Sequence, residues 1–220
     1  MTYICFRIDI DYVPWDSPDA QEFGHGEPAI LLRLFELASK MGPKLHFFAS
    51  TRTLSAFRSA IATILEEGHD LDWLCKRPDE LESRYKRAET AISQQNHSFE
   101  GFALKEDWNK KFTNVPDVFH FISSKNNLAP KEIFLYPVKT TSDREAMRAG
   151  LTPQAWTDEL KLQMRDAASR RGGLTICVRP QVLYRFDPNL AKIKELMMFA
   201  EAVGLPIRSL REVDSKRAKL

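Results

Sequence analysis

Apolar and polar positions along this chain repeat with two periods. In some runs every second residue is apolar, as on a strand; elsewhere apolar residues recur three and four apart, as on a helix. The opening run Phe6-Arg7-Ile8-Asp9-Ile10-Asp11-Tyr12 has period two. Phe6, Ile8 and Ile10 share one face, and Arg7, Asp9 and Asp11 share the other. The same reading predicts strands at 3–10, 45–49, around 71–74, and at 101–104, 118–122, 133–138 and 174–178. Helices are predicted between them. Residues 27–40 put Ile30, Leu31, Leu34 and Leu37 on one face and stop at Met41-Gly42-Pro43. A second helix, 55–67, closes at Gly68, and a charged one, 78–93, keeps an apolar stripe of Leu81, Tyr85, Ala88 and Ile92. Thr152-Pro153 supplies a hydroxyl cap and a first-turn proline to a long helix that closes at Gly172-Gly173. A last long helix, 189–203, ends at Gly204, and 206–207 is a candidate short strand.

Strand and helix in alternation predict an α/β architecture with a parallel sheet. Alternation does not say whether the sheet is open or closed, but polar residues facing inward on the first strand favour the mouth of a barrel. In both arrangements sites form at the C-terminal ends of strands, where Asp9 and Asp11 lie. Two carboxylates on one face of an otherwise apolar strand repel each other, and their burial is costly without a cation. The question is which cation.

At 220 residues the chain is long enough for a large core in one domain, taken as 1–212, followed by a basic tail, 213–220. A net charge of +2 offers no electrostatic argument for nucleic acid. No apolar run is long enough to span a bilayer, and Arg7 and Asp9 interrupt the only apolar stretch that a secretory signal would need. Cys5, Cys75 and Cys177 are scattered and odd in number, so buried thiols and a cytoplasmic location are expected. No zinc-binding Cys/His spacing, nucleophile elbow or phosphate-binding glycine loop occurs.

Several motifs in order resemble one family. Arg7-Ile8-Asp9-Ile10-Asp11 is followed by Lys44-Leu45-His46-Phe47-Phe48, then by Glu66-Glu67-Gly68-His69-Asp70-Leu71. Later come Leu135-Tyr136-Pro137-Val138, Gly150-Leu151-Thr152-Pro153 and Leu174-Thr175-Ile176-Cys177-Val178-Arg179-Pro180. This order resembles the polysaccharide deacetylase family (NodB homology, carbohydrate esterases), over nearly the whole chain and as a diverged member. The resemblance implies a distorted TIM-like (β/α)7 barrel and hydrolysis of a C–N amide bond, the N-acyl group of an amino sugar or a related amide, assisted by a divalent metal such as zinc. It assigns Asp9 as the base on water and Asp11 as a metal ligand.

The chain departs from the pattern at three motifs. The two metal histidines fall at Leu74 and Pro78, the arginine of an Arg-x-Pro element is missing near 102–105, and the final-strand acid histidine falls at Arg179. Leucine and proline side chains cannot bind a cation, and arginine stays protonated at any useful pH. The expectation is therefore a degraded metal site with weak or no standard activity and no bound cofactor, the site being built from Asp9 and Arg179 as its reactive pair and Asp11 as a residual ligand. Arg7 and Arg179 are the expected counter-charges. Arg7, His25, Trp15, Trp73 and Lys105 are the candidate substrate contacts, the tryptophans as stacking platforms for a sugar ring. Two alternatives stand beside this: an active amidohydrolase with a metal site rebuilt from Asp11, His69 and one of Asp70, Asp72 or Cys75, and a non-catalytic interaction protein on the same scaffold. The expected partner is a small amide or carbohydrate-like ligand, with neither nucleic acid nor membrane.

Overall fold

The computed structural model describes residues 1–11, 27–76, 81–105, 115–126 and 133–218. Among the described residues there are seven strands, β1 (Tyr3–Ile10), β2 (His46–Ser50), β3 (Asp70–Cys75), β4 (Gly101–Leu104), β5 (Phe121–Ser124), β6 (Phe134–Pro137) and β7 (Gly173–Val178). All pair in parallel, in the order β6-β5-β4-β3-β2-β1-β7. The two edge strands approach each other, and across the seam Thr140 Oγ1, just past β6, donates to the Thr175 carbonyl of β7 at 2.9 Å. The sheet thus curls into a nearly closed barrel, with helices around it. They are α1 (Glu27–Met41), α2 (Thr51–Ala56), α3 (Arg58–Glu66), α4 (Leu81–Ser93), α5 (Asp143–Arg148), α6 (Pro153–Ser169), α7 (Pro180–Phe186), α8 (Ala191–Ala202) and α9 (Leu210–Arg217).

Every residue of β1, β2 and β3 is buried, as expected of parallel strands covered on both faces. Ile4, Phe6, Ile8 and Ile10 point outward into the layer between strands and helices, together with Phe47, Trp73 and Phe102. Tyr3, Cys5, Phe48, Leu74, Ala103, Phe121 and Tyr136 fill the barrel interior, and Leu210 and Val213 of α9 join them. Two strands begin with glycine because an aromatic ring inside the barrel leaves no room for a side chain. A Cβ on Gly173 would lie 2.1 Å from the Tyr3 ring, and one on Gly101 would lie 2.2 Å from the Phe121 ring.

Four predicted elements differ from the structure. The helix expected at 55–67 starts at Thr51, where the Ser50 side chain accepts from Thr53 N–H, and Phe57 splits it into α2 and α3. The strand expected at 118–122 runs from Phe121 to Ser124, because 117–118 forms a turn in which Phe119 N–H donates to the Pro116 carbonyl. Residues 206–207 make an isolated bridge, Ile4 to Ile207, rather than a strand. The basic tail expected at 213–220 is, as far as residue 217, the body of α9. A capping box between Ser209 and Glu212 starts that helix, and Val213 and Asp214 are buried. Lys216 and Arg217 fall in its last turn, where they complement the helix dipole.

The α9 helix closes the N-terminal end of the barrel through a polar network. Leu210 N–H donates to His46 Nδ1 at 3.0 Å, which leaves Nε2 carrying the proton that it donates to Asp72 at 3.0 Å. Arg211 grips both oxygens of Asp72 at 2.9 and 2.7 Å, and Glu100 and Gly101 add backbone N–H bonds at 2.8 and 3.1 Å. Burial pushes the Asp72 carboxyl upward, but Arg211 and His46 overcome it and hold its pKa down at about 2.

Candidate functional site

Near the other end of the barrel, β1 projects Arg7 and Asp9 inward, as its period of two requires. Arg7 and Asp9 form a planar double bond: Nε donates to Oδ1 and Nη2 to Oδ2, each at 2.7 Å. Arg7 Nη2 also donates to the Leu104 carbonyl at 2.9 Å, and Nη1 donates to the carbonyl and hydroxyl of Ser123 at 3.0 and 3.1 Å. These contacts use all five guanidinium N–H groups. Both residues are about 1% exposed, so the pair is a fully buried one whose attraction is offset by the cost of desolvating both ions. Burial works against the Arg7 charge, yet Asp9, with a smaller contribution from Cys177, holds its pKa above the ordinary arginine value. Cys177, inward-facing on β7 beside Arg7, places its thiol 3.5 Å from Asp9 Oδ2.

One residue beyond β1, Asp11 meets a different cation. Lys76, the first residue after β3, brings its ammonium to 2.8 Å from Asp11 Oδ2. The lysine side chain is 43% exposed and the aspartate side chain 9%. Asp11 Oδ1 is shielded from solvent and has no hydrogen-bond partner among the described residues. An unmet acceptor of this kind costs about 1–3 kcal/mol. The backbone before it is pinned, since Thr53 Oγ1 donates to the Ile10 carbonyl at 3.1 Å. Arg179, the residue after β7, turns to Asp143 at the start of α5. Its N–H lies 2.7 Å from Oδ2 and its Nη1 lies 3.3 Å from Oδ1.

The donor set does not fit the metal that the resemblance implies. Asp9 has both oxygens committed to Arg7, and Asp11 carries an ammonium that would repel a divalent cation. Leu74, at the first expected histidine position, packs in the barrel interior. Among the described residues no three His, Cys, Asp or Glu side chains converge to hold an ion. The rebuilt set is not brought together either. Cys75 faces the outer core, Asp72 belongs to the α9 network, Asp70 pairs with Lys44 at 2.8 Å, and His69 packs on the rings of Phe35 and Phe47 with Leu45 N–H 3.4 Å from its Nδ1.

Three further expectations are corrected. Arg7 has no N–H left for a substrate and acts as the internal counter-ion of Asp9. Trp73 is not a platform for a sugar: it is 1% exposed, stacks on Phe119 in the outer core, and donates its indole N–H to Thr51 Oγ1 at 3.1 Å. It faces outward because its register partners, Ala49 and Phe102, face outward too. Arg179, expected as a counter-charge at the mouth, pairs with Asp143, which α5 presents to it, while Asp9 takes Arg7 and Asp11 takes Lys76. Lys105 sits half-buried at the end of β4, its backbone N–H 3.2 Å from the Cys75 carbonyl. His25, Trp15 and Pro78 lie outside the described residues. Sequence reasoning missed Lys76, Ser123 and Asp143. The one available signal for Lys76 was its position directly after the third strand, at the end where sites form.

No protein-family profile matches this chain, and no curated protein matches it. Solved structures do. A protein from Mycobacterium smegmatis described as a polysaccharide deacetylase is 15% identical, with a TM-score of 0.76 over 99% of this chain and 90% of that one. One from Pseudomonas aeruginosa PAO1 with the same description is 11% identical, with a TM-score of 0.73 over 98% of this chain and 90% of that one. A CE4 family pseudoenzyme from Bacillus anthracis is 13% identical, with a TM-score of 0.60 over 97% of this chain and 65% of that one. At such identities the likeness is one of backbone architecture, and with the parallel seven-stranded barrel it supports one conclusion: this chain has the polysaccharide deacetylase fold.

Proposed function

We propose that this protein binds a small amide or carbohydrate-like ligand at the C-terminal mouth of its barrel and does not carry out the metal-assisted deacetylation associated with its fold. One observation carries the reading: the two carboxylates that such chemistry would use are each neutralised by a cation of the protein itself, Asp9 by Arg7 and Asp11 by Lys76. A base must have a lone pair directed at water, and both Asp9 oxygens already accept from the guanidinium at 2.7 Å. Arg179 cannot deliver a proton to a leaving amine at neutral pH. The likeness to a structure described as a pseudoenzyme supports the same reading. Three buried cysteine thiols suit a reducing cytoplasm, and among the described residues no helix is long and apolar enough to cross a membrane.

The test is elemental analysis of the purified, dialysed protein together with acetate release from N-acetylglucosamine oligomers. The reading expects substoichiometric zinc, nickel, cobalt and iron, and no release above background with or without added metal. A stoichiometric metal that survives dialysis, or turnover on metal addition, would overturn it.

A further inference from the structure

The mouth of the barrel carries a row of cations. The residues that directly follow β3, β4 and β5 are all lysines: Lys76, Lys105 and Lys125. The register pairs Cys75 with Leu104 and Ala103 with Ser123, and Lys105 N–H still donates to the Cys75 carbonyl at 3.2 Å. Continued to the lysines, that register sets the three side by side on neighbouring strands about 4.8 Å apart. Each lies two residues past a side chain of the inner wall, Leu74, Ala103 or Ser123, so the pleat gives all three the inward phase. Solvent reaches them: the Lys76 side chain is 43% exposed, that of Lys125 is 34% exposed, and Lys105 is half-buried. Asp11 holds the Lys76 ammonium and Glu145 holds that of Lys125. The deeper charges cancel in pairs, Arg7 with Asp9 and Arg179 with Asp143. The row therefore sets three lysines against two carboxylates, and Lys139, two residues past β6, adds an exposed cation.

We infer that Lys76, Lys105 and Lys125 form a phosphate subsite, and that the ligand of this mouth is a phosphorylated sugar rather than a neutral one. A phosphate monoester brings close to two negative charges and three acceptor oxygens, which three ammoniums in a row can share. A carboxylate brings one charge and two oxygens and leaves part of the row unanswered. Contact is made by solvent-reachable ammoniums, so no buried atom has to be uncovered. The Asp11 side chain is 9% exposed against 43% for Lys76, so an anion meets the lysine first. Asp11 and Glu145 each take one N–H of a lysine that has three, and by fixing the ammonium they lower the entropy lost when a ligand orders it. The inference deepens the proposed binding function and rests on it, giving the ligand a charge and a chemical class.

The probes are N-acetylglucosamine, N-acetylglucosamine 6-phosphate, inorganic phosphate and acetate, each titrated calorimetrically into metal-free protein in a low-salt, phosphate-free buffer. The sugar phosphate should bind at least about tenfold more tightly than the sugar, be displaced by inorganic phosphate but not by acetate, and weaken as salt is added. Lys105→Met and Lys125→Met should each weaken the sugar phosphate about tenfold, the loss of one charge-assisted hydrogen bond. Lys105→Arg and Lys125→Arg keep the charge and should lose less, which separates charge from folding. Lys40→Met, in the last turn of α1 at the opposite end of the barrel, should change nothing. Equal affinity for the two sugars, no saturable binding of either phosphate compound, displacement by acetate as effective as by phosphate, or the same loss in Lys40→Met as in the row variants overturns the subsite. Those outcomes leave the proposed function standing if the protein is metal-free, whereas a stoichiometric metal removes that function whatever the titrations show.

Discussion

Replacing Arg7 by Met keeps most of the side-chain volume and removes the charge. Asp9, about 1% exposed, is then left as a buried carboxylate without its counter-ion, and the Leu104 and Ser123 carbonyls lose donors at 2.9 and 3.0 Å. Breaking one side of a buried ion pair costs about 3–5 kcal/mol. With a urea m-value of about 3 kcal/mol/M, the midpoint of unfolding should fall by about 1–1.7 M. The informative comparison is Arg7→Met/Asp9→Leu, which removes both charges and so the desolvation cost. It should be more stable than Arg7→Met alone by at least about 2 kcal/mol, because apolar replacement of a whole buried pair is often neutral or better. Urea denaturation followed by tryptophan fluorescence measures both. A single variant that loses less than about 1 kcal/mol, or a double variant no more stable than the single one, would refute the claim that Asp9 depends on Arg7.

Two further predictions concern the opposite end of the barrel. The Asp72 pKa lies below its usual 3.8, so its stabilising effect is fully present above about pH 4 and is lost as pH falls toward about 2. The urea midpoint should drop over that window in the wild type and drop less in Asp72→Asn; parallel curves would contradict the ion pair with Arg211. Gly173→Ala pushes a methyl group to within 2.1 Å of the buried Tyr3 ring and should cost about 1–3 kcal/mol, read as a lower thermal midpoint. An unchanged midpoint would show that the ring can move aside.

The charge placement shows why some of this site was legible and some was not. Arg7 and Asp9 are two apart on one strand, so their pairing follows from strand periodicity alone. The acceptor that Arg7 meets at Ser123 is 116 residues away, and no local pattern points to it. Lys76 reads as an ordinary charge after a strand, and it becomes the partner of Asp11 only when β1 and β3, neither adjacent in sequence nor paired in the sheet, converge at one mouth. Trp73 illustrates the reverse error. Its run, Asp70–Cys75, is buried on both faces, so alternation does not say which face looks inward. The α9 helix was hidden because a short, charged C-terminal segment reads as a tail until Leu210 and Val213 find the barrel interior.

The sequence by itself determined the α/β alternation, the shared face of Arg7, Asp9 and Asp11, and the absence of imidazole at Leu74 and Arg179. These are properties of residue identity and of one strand's pleat. Tertiary structure decided which cation answers each carboxylate. It sent Arg179 to Asp143, gave Lys76 to Asp11, and put Trp73 behind the barrel wall. The reason is physical. Side-chain direction is local, whereas a buried charge takes whichever partner the closed barrel brings within about 3 Å.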